Sequence, residues 1–543
     1  MKAATLRTYI AVHTWVGLVA GFALFIAFYA GAITVFNKQL HTWETASSAR
    51  APMASEAGAQ ALIDAVLRRH PQAGASMMLH LPSLNEPQLA LHWDEHASDG
   101  SETEHQFRLA PDGTLLDPKP QSELSHFLYR LHYTAGLPAS WGIYVLGLVC
   151  ILYGLALATG VVAYAPQFLK DLFALRVGKN LKRMWQDAHN VIGILSLPFH
   201  IMFAWSGAVL ALGVLLLAPF QFLVFDGKLL ALIEPDIAAT APLKAAGTAG
   251  PLLPADQLLA RARQAAPGMV VAQVHYQHAG DSNAHIVAYG DIGQRTLASS
   301  AAVVLKAGSG AVVRVITPQQ YSPGTSFLRG LQTLHYGNFG HVAVQWIYFL
   351  LGLAGAFLFY SGNLLWIEAR RKRLAQRQPL SGRLMAQATL GVCLGCVAGV
   401  SALFLANKLW PAAPGTLPLW EERAYYGIFL LVLAWAFVRP PARAAHELLG
   451  LCAALTLAIP LAQWAASGVH PLLSLWRADW VVVSVNAVAL CAGCAFWTMA
   501  RAALRRGRHG DPHSVWSLRA RAGGGDAPAA AAAVASSPRQ HRA

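Results

Sequence analysis

The chain has 543 residues, of which 55% are hydrophobic and only 13% charged, where a soluble protein carries about a quarter charged. With a mean hydropathy of +0.41, this excludes a soluble protein: lipid is the solvent for much of the chain. The net charge of +14 would suit a nucleic-acid partner. The cations, however, sit in short clusters beside apolar runs, which is the pattern of topology signals and not of a phosphate-binding stripe.

The apolar run from about Tyr9 to Phe36 is longer than the roughly 7–15 residues of a signal-peptide core and reads as a membrane span, which takes about 20 residues. It is the first of eight predicted spans: 9–36, 141–164, 188–217, 342–366, 386–406, 423–438, 445–466 and 480–500, the sixth being short. Basic residues follow every even-numbered span. Lys2 and Arg7 precede the first; Lys170, Arg176, Lys179, Lys182 and Arg183 follow the second; Arg370, Arg371, Lys372, Arg373 and Arg377 follow the fourth; Arg439 and Arg443 follow the sixth; and Arg501, Arg505, Arg506 and Arg508 follow the eighth. The positive-inside rule then puts both termini in the cytoplasm.

Two polar segments, 38–125 and 222–330, face outward. Each opens on an amphipathic helix, from Ala59 to His70 before Pro71 and from Asp256 to Ala266 before Pro267. Alternating, β-prone runs follow: 88–93 with 107–109, and 270–276 with 286–289, with turn signals at Asp112-Gly113 and Ser309-Gly310 ahead of further short strands. Each segment is expected to be a small α+β domain. The resulting division is span 1–37, outer domain 38–125, span 126–166, loop 167–187, span 188–221, outer domain 222–330, span 331–367, basic loop 368–385, a four-span bundle 386–501 and a tail 502–543. The tail after about Gly507 is rich in Ala, Gly, Ser and Arg and is expected to be disordered.

All six cysteines (Cys150, Cys393, Cys396, Cys452, Cys491, Cys494) lie in apolar runs. The CxxC pairs read as small packing residues and not as metal ligands or disulfides.

An internal repeat organises the first four spans. Arg7, His13, Gly17 and Gly31 have the same spacing as Arg183, His189, Gly193 and Gly207. His132 before Trp141 and Gly147 matches His335 before Trp346 and Gly352. The unit is span, outer domain, span, used twice, and it predicts a four-helix bundle with pseudo-twofold symmetry, its small residues allowing close helix approach.

The repeat carries histidine, which is costly inside a membrane and marks function there. His13 and His189 are equivalent near the cytoplasmic face, and His132 and His335 near the outer face. Pairs of equal depth facing a bundle axis suit bis-histidine haem, one near each face. His200, eleven residues after His189, falls roughly 20° off the same face and about 16 Å further along if the helix is continuous. It has no counterpart in the first span, where Leu24 stands. His126 and His341 read as interfacial; His41, His80, His92, His96, His105, His275, His278 and His285 lack ligand spacing and are expected to face solvent. Helix capping, structural hydrogen bonds or proton relay are the other roles open to these imidazoles. No dinucleotide fingerprint, P-loop, HExxH or nucleophile elbow is present, so no flavin or nicotinamide site is expected, and electrons would come from a separate cytoplasmic reductase or from membrane quinol.

The stretches Phe127–Gly147, Lys170–Arg176, Asp187–Asn190, Leu197–His200, Ser206-Gly207 and Leu334–Gly340 resemble the PepSY-associated transmembrane family, over about residues 5–375. The resemblance implies a bacterial inner-membrane protein with two PepSY-like periplasmic domains. It also implies haem b, two per chain, with His13, His132, His189, His200 and His335 as ligand candidates, and reduction of a periplasmic ferric siderophore or similar chelate in iron uptake. His341 departs from the family pattern, where that position is more often small. Reduction to Fe(II) would loosen a hard-oxygen chelate held in an outer vestibule that Trp43, Trp93, Tyr133, Tyr321 and Tyr336 could line, although an anchor in the interface belt is the favoured reading of each of these aromatics. A non-catalytic sensor or regulator and an iron-chelate transporter are the other readings.

Overall fold

A computed structural model describes residues 2–45, 55–83, 88–96, 102–110, 112–117, 122–168, 176, 180–229, 239, 243–293, 297–371, 378–411, 413 and 415–519. Lys170, Lys179, Lys372, Arg373 and Arg377, and the tail from residue 520 on, lie outside the described residues.

The first half alternates membrane helices with sheet segments. Helix α1 (Ala3–Thr34) leads through α2 (Asn37–Thr45) and α3 (Ala59–Arg69) to strands β1 (Ser76–His80), β2 (Ala90–His96), β3 (Glu102–Leu109) and β4 (Leu115–Leu116). Then come α4 (Leu124–Thr134), α5 (Ala139–Tyr164), α6 (Leu181–Leu195) and α7 (Leu197–Leu223). The second sheet segment holds α8 (Ala255–Ala265), β5 (Met269–Gln277), β6 (His285–Ile292), β7 (Ser300–Lys306) and β8 (Val312–Ile316), followed by α9 (Pro323–Tyr336) and α10 (Val342–Ala369).

Helices α1, α5, α6–α7 and α10 form a ring: α1 packs on α5 and α10, α5 on α7, and α6 on α10. The repeat-equivalent glycines explain the closeness. A Cβ at Gly147 would stand 2.5 Å from Leu212, and one at Gly352 would stand 2.8 Å from Ala32. Two corrections concern these helices. The third span is not one continuous helix, because α6 ends at Leu195 and α7 restarts at Leu197, with Ser196 at φ −100°, ψ 12° between them. Pro198 lacks an N–H, and its ring crowds the carbonyl four residues back, so the helix breaks there. The second and fourth predicted units each split into a short helix and a span, α4 then α5 and α9 then α10, at the left-handed residues Ala135 and Gly337.

The two polar segments do not form separate sheets. Their strands join in one eight-stranded antiparallel sheet, order β4-β3-β2-β1-β5-β6-β7-β8, sealed at its centre by β1 on β5, with Met78 opposite His275. Helices α3 and α8 share one hydrophobic core with the strands through Leu62, Ile63, Val66, Leu258, Leu259 and Ala262. Gln60 Oε1 accepts from the Ala255 N–H, tying the two helices together.

The C-terminal helices are α11 (Leu380–Leu409), with a π turn at Leu390–Leu394, α12 (Leu417–Val438), α13 (Pro441–Ser467), α14 (Pro471–Trp476) and α15 (Trp480–His509). Gly391, Gly395 and Gly399 form a groove for α12, meeting Leu433, Phe429 and Tyr425 in turn. Among the described residues seven helices are long and apolar enough to cross a membrane, not eight. The predicted sixth span, in α12, falls short because Glu421, Glu422 and Arg423 occupy its first turns. Cys393, Cys396 and Cys452 are buried packing residues of this bundle, while Cys491 and Cys494 are exposed.

The tail is ordered further than expected. Leu518 N–H donates to Gly507 O at 2.9 Å, and Trp516 Nε1 donates to Glu368 Oε1 at 3.0 Å. An indole and a leucine packed against helix ends bury enough surface to hold residues 511–519 despite their polar sequence.

Candidate histidine site

The four repeat-related histidines form two pairs. His13 on α1 and His189 on α6 have ring centroids 6.1 Å apart. His132 on α4 and His335 on α9 are 5.9 Å apart. The second pair lies at the sheet end of the ring, because α4 and α9 directly follow β4 and β8. The carbonyl that anchors His132, that of Ala27, is fourteen residues along α1 from His13, about 21 Å at 1.5 Å per residue.

Hydrogen bonds to three backbone carbonyls and a serine hydroxyl put all four imidazoles in one tautomer. Nδ1 of His13 lies 2.8 Å from Ala156 O, Nδ1 of His132 lies 2.8 Å from Ala27 O, and Nδ1 of His189 lies 3.1 Å from Leu358 O. A carbonyl only accepts, so Nδ1 carries the proton in each. His335 Nδ1 is 2.7 Å from Ser206 Oγ, whose own proton goes to Met202 O, so this Nδ1 donates too. Among the described residues no hydrogen bond engages Nε2 of any of the four. Each pair therefore presents two Nε2 lone pairs.

Small residues make room for the rings. The repeat's second glycines, Gly31 and Gly207, lie beside the outer pair: a Cβ at Gly31 would meet His132 at 2.5 Å, and one at Gly207 would be 4.0 Å from His335. Gly160 abuts His13 and Gly362 abuts His189 in the inner layer. Next to Gly362, the buried Asn363 Nδ2 has no partner among the described residues.

His200 is different. It is fully buried, with Tyr153 Oη 2.5 Å from Nδ1 and Ser196 Oγ 2.9 Å from Nε2. Ser196 gives its proton to Ile192 O and so accepts from Nε2, leaving Nδ1 to accept from the tyrosine. Both nitrogens are engaged, and no lone pair is left for a metal. The ring lies between the two layers, against Phe28 and Phe199, while Phe203 continues the aromatic contact to His335.

At the outer pair a cavity of about 620 Å³ opens, lined by His132, His335, Tyr336 and also His41, His126 and His341. In the sequence His126 and His341 lack repeat partners and read as interfacial, and His41 lacks ligand spacing and reads as solvent-facing. Their only signal there is closeness to the predicted outer boundary. Of the aromatics expected in a vestibule, Tyr336 lines this cavity. Trp43 does not: it is buried against Phe404 and Lys408 in the C-terminal bundle. Trp93 stacks on His105 in the sheet, Tyr133 packs on Tyr129, and Tyr321 Oη donates to Ser300 O. His105 and His285 are not simply solvated either, the first bonding Asp117 and Glu95 and the second being buried.

Each pair of imidazoles would supply only two ligands to a metal. Among the described residues no group of three or more His, Cys, Asp or Glu could hold a bare ion, so the other donors would come from a macrocycle. Two imidazole nitrogens that each bound one metal at about 2.0 Å would set their ring centroids about 6.3 Å apart, close to both observed separations.

In comparison with known proteins, residues 10–369 match the family described as the PepSY-associated TM region. The chain is also similar to the uncharacterized protein PA4219 of Pseudomonas aeruginosa, 27% identical over 371 residues that cover 64% of this chain and 89% of that protein.

Proposed function

This chain belongs to the PepSY-associated TM region family, and from that premise we propose that it is a haem-bearing reductase of the bacterial inner membrane. It passes electrons across the bilayer to a ferric chelate, such as a ferric siderophore, on the periplasmic side. The observation that carries this reading is the two matched histidine pairs, with ring centroids 6.1 and 5.9 Å apart and each Nδ1 hydrogen-bonded, so that Nε2 keeps the lone pair.

His13 with His189, and His132 with His335, would hold the two haems. Haem held in this way supplies one-electron Fe(III)/Fe(II) chemistry. The protein's part is to orient the rings through Ala156, Ala27, Leu358 and Ser206 and to keep water from the layer between them. His200 and Tyr153 stay hydrogen-bonded to each other in that layer and serve as a polar bridge, not as ligands. The joined sheet, read as two PepSY-like modules, stands over the outer cavity, where His41, His126, His341 and Tyr336 face the arriving chelate. In this reading α12 also crosses, with Glu421, Glu422 and Arg423 at its outer end, so that both termini are cytoplasmic, and the electron donor is a separate reductase or membrane quinol.

The test is an absorption spectrum of the detergent-purified protein, oxidised and dithionite-reduced, with haem quantified per chain. Sharp reduced α-bands with haem at both pairs support the reading. A protein that stays colourless after haem supplementation overturns it and leaves the histidines as structural groups.

A further inference from the structure

Helix α4 carries His132 but has only eleven residues, and isolated helices shorter than about 12–15 residues are marginal. The N–H groups at its start need acceptors. Two carboxylates from elsewhere in the chain meet that start, Glu44 at the first-turn amide of Ser125 and Glu421 at the amide of the capping residue Glu123 and at Ser122, whose Oγ accepts from Leu124 N–H. Glu421, on α12 of the C-terminal bundle, accepts from Glu123 N–H at 2.9 Å, Ser122 Oγ at 2.7 Å and Asn407 Nδ2 at 2.7 Å. Glu44, on α2, accepts from Ser125 N–H at 2.6 Å, Ser125 Oγ at 2.9 Å and His41 Nδ1 at 2.7 Å. Both glutamates are buried, and negative charge at a helix N-terminus is favourable. Lys408 stands by them, donating to Trp43 O at 2.7 Å with Nζ 4.0 Å from the Trp43 ring.

The same face of α12 follows α4 along its length. Glu422 pairs with Arg130 at 3.2 Å, Tyr425 and Tyr426 pack on Phe127, and Tyr426 Oη donates to Gly136 O at 3.0 Å, just past the end of α4. The repeat partner α9 begins differently. Its N-terminus is capped by its own Ser322 on Thr325 N–H, and its Phe327 and Tyr336 are exposed. The charges that interrupt the apolar run of α12 thus have a use: buried Glu421 holds the start of α4, while the Glu422 pair with Arg130 lies at the rim, where an ion pair adds little.

We propose that the C-terminal helices are the support of the outer histidine pair, with Glu421 and Glu44 as positioning residues that fix α4, and so His132, opposite His335. The importance of this for electron transfer rests on the haem reading above; the mechanical coupling does not.

The experiment is amide hydrogen exchange on full-length Glu421→Ala and Glu421→Gln, with Glu422→Ala as a rim control, and with optical and spin-resonance spectra of the same samples. Exchange of the α4 amides should rise about tenfold or more in Glu421→Ala while α9 is unchanged, with Glu422→Ala close to wild type. The low-spin haem signal that shifts should be the one that His132→Ala removes. If Glu421→Ala does not fold, Glu421→Gln, which keeps the side-chain shape and one acceptor, decides by the same comparison. Equal exchange in α4 and α9 with an unchanged spectrum overturns the proposal. A wild type without haem overturns only the haem reading, and the exchange comparison still decides this one.

Discussion

A methyl group on Gly31 would stand 2.5 Å from His132 Nδ1, so the outer imidazole is seated where the α1 backbone has no side chain. One turn earlier on α1, Ala27 O accepts the proton of that same nitrogen. Position and tautomer of His132 are thus set by one stretch of one neighbouring helix.

Gly31→Ala should therefore displace His132 and remove haem from the outer pair while the inner pair keeps its own. Gly207→Ala should do less, because its new methyl meets Cys150 Sγ at 2.9 Å and the His335 ring only at 4.0 Å, and Cys150→Ala should relieve it. Haem content and reduced spectra of the three variants check this; equal loss in Gly31→Ala and Gly207→Ala would contradict it.

His13→Ala and His189→Ala should each abolish one low-spin haem signal, the same one, and leave the other intact. His132→Ala and His335→Ala should remove the other signal. Redox titration of the purified variants reads this directly, and retention of both signals in His13→Ala would reject the pairing.

His200→Ala should behave unlike these four. With both nitrogens bonded to Tyr153 and Ser196, it is no ligand in this arrangement, so haem content should persist. Stability should drop by about 1–3 kcal/mol for each buried partner left unsatisfied, and Tyr153→Phe should show a smaller part of the loss. Thermal unfolding followed beside haem content separates the two roles; loss of a haem in His200→Ala would make it a ligand after all.

Asp187, two residues before His189, is gripped by Arg176 through Nε at 2.8 Å and a second guanidinium nitrogen at 2.7 Å. Those hydrogen bonds hold its carboxyl below the usual carboxylate range. A carboxyl whose pKa is depressed on folding adds stability above its unfolded pKa, about 3.9, and loses it as pH falls toward the folded value. Asp187→Asn should thus be less stable than wild type by about 1–3 kcal/mol at every pH from about 5 to 8, the gap closing only below about pH 4. Unfolding midpoints across that range test this, and a gap that changes between pH 6 and 8 would point to another group.

Much of the site is legible in the chain because it is periodic. Hydropathy marks lipid-crossing helices wherever about 20 apolar residues run together, and the repeat places His13 with His189 and His132 with His335 because duplicated segments fold alike. The strands of β2, β3, β5 and β6 show by their alternation. Strand β1 does not: five residues carry too little pattern, and its partner β5 is some two hundred positions away, so the joining of two segments into one sheet is a long-range event. The same holds for Trp43, which reads as a rim aromatic and is buried under the C-terminal bundle.

Membrane residence, the duplication and the four paired histidines follow from the order of residues, since each depends on local hydropathy or on spacing within one segment. Which nitrogen of each histidine carries the proton, why His200 stands apart, and how Glu421 reaches the helix of His132 depend on atoms brought together from remote parts of the chain. Hydrogen bonds between such atoms have no signature in spacing, because their geometry exists only once the helices have packed.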